Sequence, residues 1–322
     1  MARIFMLKGD INCPGHVDIP EESTTLREVV EQLGGGMANG KRCKADTLAR
    51  VVRLVEILAE SGHEVVLDGS YFGKLPIDVA TSLPIANVEY KPVAHADLAI
   101  SIGGDGTFLR TSKKVAHLGV PIAGINSGRL GFLAAADLSD MEAFIAEINE
   151  GRYVVETHTM LEARREDGVG IDMPLALNEV AFLRHDTSSV ISVDVEVDGT
   201  PLTTYKADGL IISTPTGSTA YNLSCGGPII APTAANLVLT PVSPHSLNMR
   251  PLVLHDSAVL RVIVNTRAEK FQLSLDGNTV FMPNNGAVII SKSACVARVV
   301  QRLGHSFAQS LRDKLLWGKD MR

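Results

Sequence analysis

The stretch "ADLAISIGGDGTFLR", residues 96–110, leaves a chain few ways to fold. Ala96–Ile102 is almost wholly apolar, as a strand covered on both faces must be, and such strands belong to parallel sheets flanked by helices. The run ends in Gly103, Gly104 and Gly106 around one carboxylate, Asp105, then reads as helix to about residue 118. A second apolar strand, "PIAGIN" (121–126), follows. Upstream, "RIFMLK" (3–8) reads as a first strand, and "EESTTLREVVEQLGGG" (21–36) as a short helix stopped by glycines. In "ADTLARVVRLVEILAESGHEVVLD" (45–68), Asp46 is placed to cap a helix. Its apolar face is Leu48, Val51, Val52, Val55, Leu58 and Ala59; Gly62 ends it and a strand begins. Residues 69–96 carry several prolines and little periodicity, so an irregular connection is expected there. "DLSDMEAFIAEINEG" (137–151) is a further amphipathic helix. Strands alternating with helices imply a Rossmann-like α/β domain with a parallel sheet.

The pattern changes after about residue 152. "YVVETHTMLEARRE", "LNEVAFLR" and "VISVDVEVDGTPLTTY" have strand character. Asp198-Gly199 and Asp276-Gly277 each stand between alternating runs, a strong hairpin signal. A β-rich antiparallel domain is expected, with "HSFAQSLRDKLLWG" (305–318) returning to helix. The division read from the chain is 1–155, 156–303 and a C-terminal helix in 304–322.

Composition narrows the function classes. Hydrophobic residues make up 45% and charged residues 20% of 322, as in ordinary globular domains. The net charge of −6 supplies no field to draw nucleic acid or an anionic membrane, so neither is an expected partner. No apolar run reaches membrane-span length. The first apolar run soon meets Lys8 and Asp10, so no signal peptide is expected. Cys13, Cys43, Cys225 and Cys295 form no CxxC pair, which suits free thiols in a cytoplasmic protein better than a zinc site.

A strand feeding a helix delivers its turn to the carboxyl edge of a parallel sheet, where ligands bind. Glycines there let a phosphate approach the amides, and the helix N-terminus faces it with unpaired N–H groups. The turn is neither GxGxxG nor a P-loop. Asp105 repels phosphate, so its presence suits holding a cation or receiving a proton from a hydroxyl under phosphorylation. The bland alternative is a helix cap. "NSGRLGFLA" (126–134) is a second glycine turn expected on the same edge. "LNEVAF" (177–182) sets Asn178 beside Glu179; successive strand residues face opposite ways, so both are not one wet face unless the strand ends there. In "KADGLIISTPTGSTAYNLSCGGPI" (206–229) hydroxyl side chains crowd between Ser213 and Ser224. They suit an adenosine or ribose pocket with Tyr221 as a flat contact; embedded Ile211, Ile212, Ala220 and Leu223 argue against a plain surface loop.

With these residues in order, the chain resembles the NAD kinase family. The motifs are "GGDGT" (103–107), "NSGRLGFL" (126–133), "NE" (178–179), "DGLIISTPTGSTAYNLSCGGPI" (208–229), "PVSPHSLNMRPLVL" (241–254) and "LDGN" (275–278). GGDGT alone is shared with diacylglycerol-type and sphingosine-type lipid kinases, and the long hydroxyl-rich stretch is not. The resemblance implies a two-domain NAD kinase-like fold and transfer of a phosphoryl group from ATP, with Mg²⁺ or another divalent metal, to the 2′-hydroxyl of the adenosine ribose of NAD. It implies Asp105 as the catalytic aspartate, with Gly103, Gly104, Gly106, Thr107 and Arg110 on the phosphates. It implies Asn178, Glu179, Lys206, Asp208, Thr216, Thr219, Ala220, Tyr221, Ser224, Asp276 and Asn278, beside Asp105 and Gly106, on NAD. The metal is expected mainly on the nucleotide phosphates. Residues 9–41 and most of 69–95 have no counterpart in the family pattern, and Ser189 stands where some members carry a basic residue. The family's habit of assembly implies a homodimer or homotetramer. The rivals are a GGDGT-type lipid kinase and a non-catalytic nucleotide sensor on the same fold.

Overall fold

A computed structural model of the chain describes residues 3–8, 45–90, 95–127, 131–185 and 190–318. The helix read at 21–36, the excursion 9–41 and Ser189 lie outside the described residues. The chain divides into two compact units, Met1–Val155 with Val299–Arg322, and Glu156–Arg298. No helix among the described residues is long and apolar enough to cross a membrane.

The first unit is built on strands β1 (Arg3–Lys8), β2 (Glu64–Asp68), β3 (Asn87–Glu89), β4 (Leu98–Ile102) and β5 (Ile122–Asn126), with a two-residue β6 (Ala136–Asp137) beside β5. Their order is β3-β2-β1-β4-β5, every pair parallel. Strand order therefore reverses between β1 and β4, the place where open α/β sheets leave a crevice at the carboxyl ends. All residues of β4 and β5 are buried, matching their unbroken apolar sequences. The helix Ala45–Glu60 packs through Val51, Leu54, Val55 and Leu58, each at most 1% exposed. Leu54 belongs to that stripe and Leu48 and Ala59 sit at its margin, so the buried face is rotated from the one expected. Within the stretch expected to be irregular, residues 69–90 carry regular structure. Short helices Gly69–Phe72 and Ile77–Ser82 lead into β3, which extends the sheet. A strand of three residues is too short to show a period, which is why the sequence hides it.

The second unit holds β7 (Tyr153–Arg165, entering from the first), β8 (Leu175–Ala176), β9 (Glu179–Leu183), β10 (Ile191–Val197), β11 (Thr200–Ala207), β12 (Gly209–Ser213), β13 (Asn236–Val242), β14 (Leu252–His255), β15 (Leu260–Asn265), β16 (Lys270–Leu275), β17 (Asn278–Pro283) and β18 (Ala287–Arg302, which leaves at Val299). One sheet runs β14-β13-β12-β9-β16-β17, and a second set pairs β11-β10-β15-β18 with β7 and β8. A shared core takes Phe182, Leu210, Ile212, Leu239 and Phe271 from the first and Val193, Val195, Val262 and Ile290 from the second. Both expected hairpins form. Asp198 (φ 49°) with Gly199 (φ 77°), and Asp276 (φ 50°) with Gly277 (φ 83°), make two-residue loops of the primed type, the twist that antiparallel ribbons favour.

Candidate active site

In the first unit β4 ends at Ile102 and the helix Asp105–Val115 starts three residues later. Gly103 is at φ 153°, and a Cβ there would come within 2.9 Å of the Thr107 Cβ, so the turn's close approach requires glycine. Gly104 and Gly106 differ. A Cβ on either would meet nothing within 4 Å, and Gly104 caps the helix with φ −87°. Neither packing nor backbone demands glycine at these two positions, and the open space beside them leaves the amides accessible to a ligand. Thr107 is buried against the turn, and Arg110 is exposed on the same helix. Burial first, and then the Arg110 charge, pull the Lys74 ammonium below its ordinary value, which places a second cation near this helix.

Asp105 is the first residue of the helix and does not cap it. Its carboxylate reaches the second glycine turn. Phe132 N–H donates to Oδ2 at 2.9 Å and Leu133 N–H to Oδ1 at 3.2 Å. Gly131 is crowded against the same group: a Cβ there would lie 2.7 Å from Asp105 Cγ and nearer still to Oδ1. The two glycine motifs therefore meet through Asp105. A carboxylate has about four lone-pair sites, so two amide bonds leave acceptor capacity for another ligand.

In the second unit, Thr214–Ser224 follows β12 as a loop containing turns Thr216–Thr219 and Tyr221–Ser224. Many of the hydroxyls that crowd this stretch build its backbone. Ser213 donates to Thr214 O, Thr214 to Leu177 O, Ser218 to Ile230 O and Thr219 to Thr216 O. Thr216 Oγ1 lies 3.1 Å from His158 Nδ1, whose other nitrogen is 3.0 Å from Glu156 Oε2. This chain of contacts, buried at Thr216 and His158 and half-exposed at Glu156, carries no sequence signal beyond a histidine in a strand. Tyr221 remains 37% exposed. Burial, then the charges of Cys225, Glu179 and Asp208, push its phenol up; burial and then Glu179 push the Cys225 thiol up. These groups thus share one neighbourhood, and Asp208 pairs with Arg184 at 3.0 Å.

Asn178 and Glu179 are both buried, at 7% and 9% exposure. The first hairpin turn after β16 holds them. The Asp276 carboxylate accepts from Leu177 N–H (2.8 Å), Asn178 N–H (2.8 Å) and Glu179 N–H (3.0 Å). Asn178 Oδ1 is buried and accepts no hydrogen bond among the described residues, an acceptor set into the site without a protein donor. Gly217 packs onto this segment so tightly that a Cβ would lie 2.7 Å from Asn178 Cα. Ala220 and Ser224 flank Tyr221, with Ser224 exposed. Asn278 donates weakly to Met173 Sδ at 3.8 Å. Lys206 is exposed on β11 and lines an open groove of about 430 Å³ with Ser192, His245, Asn265 and Arg267. Among the described residues no group of His, Cys, Asp and Glu forms a metal cage.

Sequence models of the ATP-NAD kinase N-terminal and C-terminal domains match residues 37–153 and 177–302. The NAD kinase of Bacteroides fragilis is 40% identical over 283 residues, covering 88% of this chain and 98% of the relative. That of Porphyromonas gingivalis is 38% identical with the same coverage. The chain belongs to the ATP-NAD kinase family. Its activity is that of a phosphotransferase that converts NAD to NADP, which sets aside the lipid-kinase and sensor readings. Solved relatives share the fold. Yeast NADH kinase complexed with NADH superposes with a TM-score of 0.75 at 21% identity, covering 100% of this chain and 89% of that one. An NAD kinase from Archaeoglobus fulgidus in complex with ATP gives 0.64 at 27% identity, covering 82% and 94%. The N-terminal kinase model begins at residue 37, so most of 9–41 falls before the family's shared region.

Proposed function

We propose that the Gly103–Gly106 turn takes the phosphates of ATP and that Asp105 receives the proton of the adenosine-ribose 2′-hydroxyl of NAD as the phosphoryl group arrives. The carrying observation is the position of Asp105: a lone carboxylate in a glycine turn at the strand-order switch, clamped by two amides yet with acceptor capacity to spare. A ribose hydroxyl is a weak nucleophile, and phosphoryl transfer depends on alignment and charge neutralisation more than on a strong base. Thr107 and the amides at the very start of the helix orient the phosphates, with Arg110 as an accessory cation.

On the second unit, the adenosine portion of NAD lies against Tyr221 and Ala220. The buried Asn178 Oδ1 accepts a hydrogen bond from it, and Glu179, Thr216, Thr219 and Ser224 supply further polar contacts. Asp208 and Lys206 stand toward the rest of the dinucleotide. Asp276 serves this site through the 177–179 backbone, and Asn278 through the same hairpin. A divalent cation fits only as a passenger of the nucleotide, since Asp105 is the one carboxylate in the glycine turn; Mg²⁺ commonly binds through one carboxylate plus substrate phosphates. It would supply charge neutralisation there.

The exposed side chains Val253 on β14 and Phe281 on β17, at opposite edges of one sheet, support a homodimer or homotetramer. We place the reaction in the cytoplasm, where the free Cys225 and Cys295 thiols persist. The test is NADP formation by purified protein from NAD, ATP and Mg²⁺. Asp105→Asn should reduce kcat by about 10²–10⁴-fold, the usual contribution of a general base, with calorimetric NAD affinity retained. Turnover within a few-fold of the parent would remove Asp105 from the chemistry. Light scattering with a monomer mass at full activity would refute the assembly.

A further inference from the structure

The last helix, Phe307–Lys314, starts at Ser306, whose hydroxyl accepts from Gln309 N–H. Its final residue does not serve its own helix end. Lys314 Nζ donates to Phe132 O at 3.1 Å and to Ala134 O at 3.3 Å, 182 and 180 positions away in sequence. It also stands 5.7 Å from the centroid of the Phe132 ring. Burial draws this ammonium below the ordinary lysine value, while Asp105, Asp137 and Asp313 favour its charged form.

Phe132 C=O and Leu133 N–H belong to one peptide group. Its oxygen accepts from Lys314 and its nitrogen donates to Asp105 Oδ1. A cation on the carbonyl end polarises the peptide and strengthens the donor at the other end. The neighbouring Phe132 N–H holds Oδ2, so the turn that Lys314 grips is the turn that grips Asp105. Holding two carbonyls by itself needs no charge, and drawing one half out of water is costly. A cation facing a carboxylate through a single peptide gives that cost a use.

We propose that Lys314 is a positioning residue for phosphoryl transfer, fixing the Asp105 carboxylate through the 131–134 turn and the Phe132–Leu133 peptide. The proposal rests on the reading of Asp105 as proton acceptor. It assigns the C-terminal helix a part in the chemistry, although Lys314 touches no substrate.

The experiment compares parent, Lys314→Met, Asp105→Asn and the double variant. It reads kcat, KM for NAD and for ATP, and the unfolding temperature, with enzyme in excess for the slow variants. Lys314→Met should lower kcat about tenfold or more with both KM values within about twofold and folding intact. In the Asp105→Asn background the same change should alter kcat by less than about twofold, because there is no base left to position. Lys314→Arg, which retains the cation, should keep more activity than Lys314→Met. If Lys314→Met does not fold, Lys314→Gln, a shorter donor without the charge, carries the same comparison. A folded Lys314→Met with parental kcat would overturn the proposal, as would equal fractional losses in both backgrounds. An active Asp105→Asn would remove the Asp105 reading and the proposal together. An inactive Asp105→Asn beside an unimpaired Lys314→Met would remove the proposal alone.

Discussion

Replacing Gly131 with alanine tests the geometry of the active site with a single methyl group. A Cβ at this position would stand 2.7 Å from Asp105 Cγ and closer to Oδ1, so one partner must retreat by about an ångström to reach ordinary contact. The obstructing atoms are the end of a side chain, not backbone, so the carboxylate gives way. That movement stretches its bonds to Phe132 N–H and Leu133 N–H, now 2.9 and 3.2 Å, beyond hydrogen-bond range. Two charge-assisted bonds are lost, each worth about 1.5–3 kcal/mol. The half-buried carboxylate regains water, and alanine reduces unfolded-chain entropy by about 0.4–1 kcal/mol. The net loss of stability should be about 1–3 kcal/mol, as for other overpacked sites. On the proposed reading of Asp105 as proton acceptor, activity should suffer far more, because an ångström of misplacement there costs about 10²-fold. Steady-state kinetics alongside thermal unfolding separates the two. Gly131→Ala should show kcat reduced about a hundredfold, with the unfolding temperature down by a few degrees. A folded variant with kcat within threefold of the parent would show that the Asp105 position does not govern turnover.

Asp276→Ala leaves three buried amide donors unpaired at about 1–3 kcal/mol each, so it should both destabilise the second unit by several kcal/mol and weaken NAD binding; denaturant unfolding and calorimetry read the two effects. Asn178→Ala removes the buried acceptor and should raise KM for NAD at least tenfold while KM for ATP changes little; unchanged NAD affinity would reject this placement of the adenosine. The Arg261 hydrogen bonds, and then its charge, hold the Glu166 carboxyl below its ordinary value. A depressed carboxyl contributes stability that is complete above its unfolded value of about 4.3 and is lost as pH falls through the lower folded value. Glu166→Gln should therefore flatten the acid limb of thermal stability below about pH 4.3 and leave the profile at pH 7–8 nearly parallel to the parent; an unchanged acid limb would count against the pair.

Much of this protein is legible before folding because the relevant physics is local. Alternation with period two, apolar runs and Asp-Gly pairs with left-handed propensity depend on near neighbours. Accordingly β4, β5 and the two hairpins stand where the sequence places them. The glycines of 103–106 and the hydroxyl-rich 213–224 stretch likewise carry the family resemblance in one dimension. What one dimension withholds is which partner each polar atom finds. Asp105 reads as a helix cap or a base; it makes no cap bond, and two of its lone pairs go to a turn 27 and 28 positions downstream, a partner the sequence does not announce. Asp276 reads as a turn residue with a ligand role, and proves to hold the Asn178 segment by amides nearly 100 positions earlier. Hydroxyls read as ligand contacts are partly consumed by their own loop. The strand at 87–89 exists because a sheet edge was there to pair with it. Such choices follow from chain closure, which sets long-range hydrogen bonds by where two remote segments come to rest, and no residue's own chemistry specifies that.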